Sequence, residues 1–337
     1  MKSIVCTEPN RFIAKDIEPP VLQDGAALIH IKRVGICGTD LHAFKGNQPY
    51  FTYPRVLGHE LSGIIAEIDD NAKGLQVGDQ VAIIPYIDCG TCIACKSGKT
   101  NCCTKMQVIG VHEDGGMREI ISVPIRNLLR TAGITLDQAA VIEPLAIGAH
   151  AVRRSAIKKG ETVLIIGAGP IGLGVMAFAK NQGARVIAMD VNEERLQFCK
   201  SWAHVDAIIN AFDKPIEALE KMTNGDLPTI VYDATGNVQS MKTAFQYVAH
   251  GGTLIYVGLV DNEISFFDPD FHKKELTLMG SRNATREDFE YVLNVLVTGE
   301  INTNRYITHR CIFDEMIGQF ESWLLPESKV IKAMVEL

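Results

Sequence analysis

The stretch Thr162-Val163-Leu164-Ile165-Ile166-Gly167-Ala168-Gly169-Pro170-Ile171-Gly172 decides the fold. Val163–Ile166 is a short apolar run rich in β-branched residues, which reads as a buried strand. The glycines that follow open an uncharged stretch that reads as a buried helix. A lone G-x-G-x-x-G is weak evidence, but between a strand and a helix it has the context its mechanism requires. Gly167 makes the tight turn, Gly169 lets a pyrophosphate approach the backbone, and Gly172 lets helix and strand sit close together. The phosphates then rest on the helix N-terminus, where Pro170 and Ile171 lie. Asp190 ends the next apolar strand, about twenty residues on, where a carboxylate can accept both ribose hydroxyls of adenosine. It would repel a 2′-phosphate, so NAD is expected over NADP. Arg195, five residues later, pulls the other way, and Asp190 also admits a plainer reading as a helix-capping turn residue.

Outward from this loop the pattern alternates. Strand-like runs at Thr162–Ile166, Val186–Asp190, Ala207–Ile209, Ile230–Asp233 and Gly252–Val257 are separated by helical stretches at 170–182, 192–203, 214–223 and 237–249. Such alternation predicts a parallel sheet with helices on both faces. Before about residue 146 the chain is mostly β, with short runs Ala27–Val34, Ser62–Ile68 and Gln80–Ile84 punctuated by Gly, Pro and Asp. Gly74–Asp79 reads as a turn, and Thr135 caps a helix that begins at Leu136. After about 285 come a helix (Glu287–Val297), a short strand (Tyr306–Arg310) and a last strand (Lys332–Glu336). The sequence has no internal repeat and no low-complexity tract.

A length of 337 residues suffices for two domains. With 47% hydrophobic and 22% charged residues the composition is that of a globular protein, and a net charge of −7 argues against a nucleic-acid surface. The run Val163–Ala179 is too short and too broken by glycine to read as a membrane span. Met1–Glu8 lacks the apolar segment and cleavage site of a signal peptide, so a cytoplasmic location is expected. In that compartment nine cysteines, four of them in one array, favour metal binding over disulfides.

That array, Cys89-x2-Cys92-x2-Cys95-x7-Cys103, can wrap one tetrahedral zinc ion in four thiolates. All positions are filled by sulfur, so the role is structural, and Lys96, Lys99 and Lys105 offset part of the negative charge. An iron–sulfur cluster and a redox dithiol are the competing readings, and Cys102 beside Cys103 leaves the fourth ligand open. A second constellation joins Cys37-Gly38-Thr39-Asp40-Leu41-His42 to Gly58-His59-Glu60. A catalytic zinc takes three protein ligands and keeps one position open. Cys37, His59 and either Glu60 or a more distant carboxylate meet that count. Thr39 followed by His42 makes a short path for carrying a proton away from a buried substrate. The plainer reading is a core cysteine and a surface His–Glu pair.

Together, Cys37-Gly-Thr-Asp, Gly58-His-Glu, the four-cysteine lobe, Glu143-Pro-Leu and the Gly167 fingerprint resemble the zinc-containing medium-chain alcohol dehydrogenases, over the whole chain. The nearer resemblance is to the sorbitol and threonine dehydrogenase branch. Within it, the run Glu143–Arg154 and the ending Leu325–Lys332 are similar to bacterial enzymes that oxidise hexonates such as L-galactonate or L-gulonate.

The resemblance implies an α/β fold with a GroES-like, mostly-β catalytic domain (1–146 and 286–337) carrying the zinc lobe (89–103). A Rossmann nucleotide domain (147–285) is inserted between them. Two zinc ions per chain, NAD, and a homodimer or homotetramer are implied. So is Cys103 as the fourth structural ligand, with Glu60 and Glu143 both candidates at the catalytic zinc and Asp40 orienting His59. Further cofactor contacts are implied at Thr235, Val257 and Lys332. In the implied mechanism zinc lowers the pKa of the substrate hydroxyl, the proton leaves through Thr39 towards His42, and hydride passes to the nicotinamide. Arg282, with Asn283, follows the strand-like Leu276–Met279 where the branch has a cleft-facing arginine, and its planar fork suits a carboxylate. An interdomain tie is the competing reading of Arg282. Polyol and threonine-type oxidation, a zinc-free reductase and a non-catalytic metabolite sensor are the alternatives to hexonate oxidation. The complete ligand set argues against the last two.

Overall fold

The computed structural model describes residues 1–48, 51–70 and 74–337. Two compact units emerge. The first comprises Met1–Glu143, Thr285–Gly299 and Thr303–Leu337, and the second Pro144–Ala284 with Glu300–Asn302. The boundary at 146/147 read from the sequence falls inside the helix Ile142–Ser155, whose Pro144 sits in the first turn, where a missing N–H costs little.

In the second unit six parallel strands run in the order Ala207–Asn210, Arg185–Asp190, Thr162–Ile166, Ile230–Asp233, Thr253–Tyr256, Thr277–Gly280. In chain order this is 3-2-1-4-5-6, the doubly wound arrangement whose switch point lies beside the first strand. Val163–Ile166 are all buried, as a strand covered on both faces must be. The expected helix at 237–249 is shorter. An α-helix at Val238–Thr243 tightens into a 3-10 turn at Ala244–Tyr247, and Val248 is already extended. The tighter winding turns the chain within a few residues towards the strand at Thr253.

The first unit is built on a seven-stranded sheet. Its path is Ile307–Ile312, Lys332–Glu336, Ala26–Ile36, Glu60–Ile68, Gln80–Ile83, Leu128–Arg130, with Ile120–Pro124 also paired to Ala26–Ile36. The long strand Ala26–Ile36 takes the C-terminal strand along one edge, Ala333 opposite Ile36, and Glu60–Ile68 along the other, Gly35 opposite Glu60. The end of the chain is therefore brought beside Gly35–Ile36 and Glu60, near its beginning. The hairpin Lys2–Glu8/Arg11–Asp16 and the helix Gly38–Phe44 were not anticipated from the sequence. The hairpin packs Phe12 between Phe44 (centroids 4.8 Å apart) and Phe320 (4.9 Å), with Trp323 beyond. The Cys89–Cys103 lobe holds only a one-turn helix, Ile93–Lys96, and a 3-10 turn, Thr100–Cys102.

Phe320→Ala should open a cavity beneath this aromatic cluster and cost about 3–5 kcal/mol. Urea unfolding of the zinc-loaded protein should show the loss as a lowered midpoint, and an unchanged midpoint would exclude the cluster as a stabilising element.

Candidate metal and cofactor sites

Cys37 leaves the strand Ala26–Ile36 and caps the helix Gly38–Phe44. Asp40, buried in that helix's first turn, accepts the Cys37 N–H at 2.9 Å and the Gly58 N–H at 3.2 Å. One carboxylate thus ties the segment carrying Cys37 to the segment carrying His59. Its Oδ1 lies 3.6 Å from His59 Nδ1. Burial raises the Asp40 pKa, against the opposing pull of His59 and the two N–H groups. Burial opposes a charged His59, but Asp40, Cys37 and Glu143 outweigh it and raise its pKa well above the ordinary value.

The donor atoms of Cys37, His59 and Glu60 lie within 4.8 Å of one another. Glu60 is fully buried, and both of its oxygens accept from Lys332 Nζ, at 2.5 and 2.8 Å. The same ammonium donates to the Ile36 carbonyl at 3.1 Å. Gly35 makes the space, since a Cβ there would stand 2.1 Å from Glu60 Oε2. Lys332 was expected at the cofactor. In the structure its ammonium is buried and engaged with Glu60 and the Ile36 carbonyl.

Glu143, also buried, stands outside the 4.8 Å cluster but close enough for its charge to act on His59. Its Oε1 accepts the Tyr86 hydroxyl, while its Oε2 is buried without a hydrogen-bond partner among the described residues. Burial and the neighbouring Glu60 push its carboxyl up to about 7, against His59 and Tyr86. Burial and Glu143 also raise the Tyr86 pKa well above its ordinary value, so the phenol keeps its proton and donates.

These donors fit a divalent cation. A half-buried thiol, a buried imidazole and two buried carboxylates lie near one another with one ammonium among them, and among the described residues Glu143 Oε2 has no hydrogen-bond partner. Buried charges are costly unless paired or coordinated. Thr39 is half-buried and His42 exposed, three residues apart and hence on one face of the helix, with no hydrogen bond between them.

In the lobe, Cys89, Cys92, Cys95 and Cys103 bring their sulfurs within 4.8 Å of one another, while Cys102 is exposed and outside. The ambiguity between Cys102 and Cys103 therefore falls to Cys103, which also accepts the N–H groups of Cys89 and Lys105, each at 3.3 Å. The Cys95 and Thr104 N–H groups lower the Cys92 pKa, while burial and the neighbouring thiols raise that of Cys95, so the shifts belong to the cluster as a whole.

In the second unit Gly167 has φ +100, and a Cβ on Gly172 would meet the Gly167 carbonyl at 1.8 Å. Gly169 caps the helix Pro170–Asn181 with open space before it. The three glycines thus make the turn, the open approach and the close packing their spacing predicts. Thr235 lies against Gly167 and Val257 follows the neighbouring strand, both at the C-terminal ends of the central strands. Asp190 accepts the Ala168 N–H at 2.6 Å and the Asn192 N–H at 2.8 Å. The helix cap is Asn192, which takes the Arg195 N–H at 3.0 Å, so Asp190 is not the cap. Arg282 is exposed after the edge strand Thr277–Gly280, and the Asn283 amide nitrogen is buried with no hydrogen-bond partner among the described residues.

Reasoning from sequence missed Tyr86 and the Glu60–Lys332 pair. Gly35, a glycine inside an otherwise apolar strand, was the available signal of a close approach.

Residues 23–133 match the alcohol dehydrogenase GroES-like domain, and residues 170–298 match the zinc-binding dehydrogenase family. The chain belongs to the zinc-type medium-chain alcohol dehydrogenases, which are oxidoreductases. It is 46% identical over 335 residues to L-galactonate-5-dehydrogenase of Escherichia coli (strain K12), spanning 99% of this chain and 98% of that one. It is 31% identical over 289 residues to 2-dehydro-3-deoxy-L-galactonate 5-dehydrogenase of Pseudoalteromonas atlantica, spanning 85% and 84%. A solved structure of a protein described as a short chain alcohol dehydrogenase from E. coli CFT073, complexed with cofactor NADH, superposes with TM-score 0.93 at 30% identity, covering 100% of this chain and 99% of that one. Among the described residues no helix is long and apolar enough to cross a membrane.

Lys332→Met should leave the Glu60 carboxylate buried and unpaired, at a cost of about 3–5 kcal/mol in urea unfolding. Adding Glu60→Gln removes the second charge and should recover most of that loss. A double variant no better than the single one would show that the pair's packing, and not its charge, is what matters.

Proposed function

We propose that this chain oxidises a secondary hydroxyl of a six-carbon sugar acid, such as L-galactonate or L-gulonate, to a keto acid, with NAD as the hydride acceptor. The near full-length 46% identity to an L-galactonate-5-dehydrogenase carries the substrate class. The NADH-bound relative and the Asp190 carboxylate beside the glycine loop support the cofactor.

In this reading Cys37 and His59, with Glu60 or Glu143, hold a catalytic zinc, and Cys89, Cys92, Cys95 and Cys103 hold a structural one. Bound at the first site, zinc acts as a Lewis acid that lowers the pKa of the substrate hydroxyl. Asp40 keeps the Cys37 and His59 segments together, and Thr39 passes the released proton to His42 at the surface. Gly167, Gly169, Pro170, Ile171 and Gly172 cradle the pyrophosphate, Asp190 takes the adenosine ribose, and Arg195, Thr235 and Val257 flank it. Arg282, aided by Asn283, pairs with the substrate carboxylate. Family resemblance supports a cytoplasmic homodimer or homotetramer.

The experiment is metal analysis together with NADH absorbance over a panel of hexonates, polyols and amino alcohols. Two zinc ions per chain and turnover confined to hexonates are expected, and a preference for a neutral polyol would refute the substrate class. Arg282→Met should raise KM for the acid about 10- to 100-fold while barely changing a neutral polyol used as a poor substrate. Equal losses on both would make Arg282 structural. Asp190→Ala should raise KM for NAD and narrow its advantage over NADP, and a native enzyme that prefers NADP would remove Asp190 from this role.

A further inference from the structure

The two buried carboxylates beside His59, Glu60 within the donor cluster and Glu143 just outside it, are held in different ways. Glu60 has both oxygens on the Lys332 ammonium. Glu143 has one oxygen on the neutral hydroxyl of Tyr86, and its other oxygen is buried with no hydrogen-bond partner among the described residues. A carboxylate gripped at one oxygen by a single donor presents the other in a fixed direction, as the outer partners of metal ligands do.

Tyr86 is itself held from two sides. The Asn127 amide, buried, donates to the Ile84 carbonyl at 2.9 Å and to the Tyr86 carbonyl at 3.0 Å, which fixes the backbone on both sides of Pro85. The ring of Phe289, on the helix Arg286–Thr298, meets the Tyr86 ring edge-on with centroids 6.1 Å apart. The ring has little freedom left, and its hydroxyl is committed to Glu143.

We propose that Tyr86, buttressed by Asn127 and Phe289, is a positioning residue that holds Glu143 Oε1 so that Oε2 alone is presented to the metal. The inference rests on the reading of Glu143 as a catalytic-zinc ligand. It assigns Tyr86 no contact with the ion and no part in proton transfer. What Tyr86 supplies is a restricted carboxylate, so that binding the ion does not first have to order that side chain.

The test follows the two ions separately as a chelator strips zinc-loaded protein, for Tyr86→Phe, Glu143→Gln and the double variant, with a colorimetric zinc indicator and thermal midpoints alongside. Tyr86→Phe should speed release of the first ion about 10- to 100-fold, the range seen when a ligand's outer partner is removed. Release of the four-cysteine ion should keep its native rate. In the Glu143→Gln background Tyr86→Phe should add little. Cobalt put in place of the first ion should show shifted visible bands in Tyr86→Phe, a change that loss of packing elsewhere would not produce. If Glu143→Gln releases both ions at native rates, the ligand reading fails and the proposal falls with it. If Glu143→Gln loses the first ion quickly but Tyr86→Phe does not, only the positioning role is overturned. An effect of Tyr86→Phe that persists in full without Glu143 also overturns it. Should Tyr86→Phe yield no folded protein, Phe289→Leu, which loosens the ring and keeps the hydroxyl, decides. It should speed release of the first ion alone, and a native rate would overturn the proposal.

Discussion

One buried carboxylate fixes the distance on which the metal cluster depends. Asp40 accepts one backbone N–H from Cys37 and one from Gly58, and so fastens a helix start to a strand start about twenty residues away. Neither segment holds that position by itself. Helix Gly38–Phe44 is only two turns long, too short to be stable alone, and Gly58 sits at φ +94, where a residue with a side chain would be strained. With Asp40 in place, Cys37 and His59 face the same small volume. The orientation of His59 expected from Asp40 acts at 3.6 Å, long for a hydrogen bond, so Asp40 works mainly through the backbone.

The sheet then determines which charges meet in that volume. Pairing Ala333 with Ile36 and Gly35 with Glu60 delivers Lys332 and Glu60 to the same point from strands on either side of Ala26–Ile36. Burying two ions costs several kcal/mol each, and only close mutual contact offsets it. The ammonium meets that condition with three acceptors, two on Glu60 and one on Ile36. After this pairing the Cys37 sulfur and the Glu143 carboxyl still act on His59 in the same region, and those are the donors a divalent cation would engage. The four-cysteine lobe reaches a similar end by other means. It has almost no apolar core, and its order rests on sulfurs drawn together and on backbone N–H groups aimed at them.

Chemistry written in consecutive residues was legible. The Gly167 loop and the cysteine spacing carry their geometry locally, since each needs only a turn, a strand end or a knuckle to be realised. The parallel sheet was legible too, because strands covered on both faces are continuous apolar runs. Pairings set by topology were not. Glu60 and Lys332 are 272 residues apart, and nothing near Lys332 marks it as the partner of a carboxylate. Tyr86 and Glu143 are 57 apart, and a tyrosine beside a proline at a strand end carries no distinguishing pattern. Helix Gly38–Phe44 was hidden for another reason. Its residues were read for their ligands, and seven positions are too few for a helical period to show.

The question left open by sequence, which of Glu60 and Glu143 serves the metal, becomes a question of what each must give up. Glu60 lies nearest to Cys37 and His59, yet every approach of its oxygens to a cation competes with a charge-assisted pair to Lys332. Charge-assisted bonds are roughly twice as strong as neutral ones. Glu143 gives up less, because Tyr86 is a neutral donor and holds only one oxygen. Proximity therefore favours one carboxylate and availability the other. The two lie close enough that the charge of Glu60 raises the pKa of Glu143. A cation that draws in one carboxylate lowers the cost of ionising its neighbour, so the pair responds to a metal as a unit. Any exchange between them must then pass through Lys332, since Glu60 can move to the ion only as far as the ammonium lets it go.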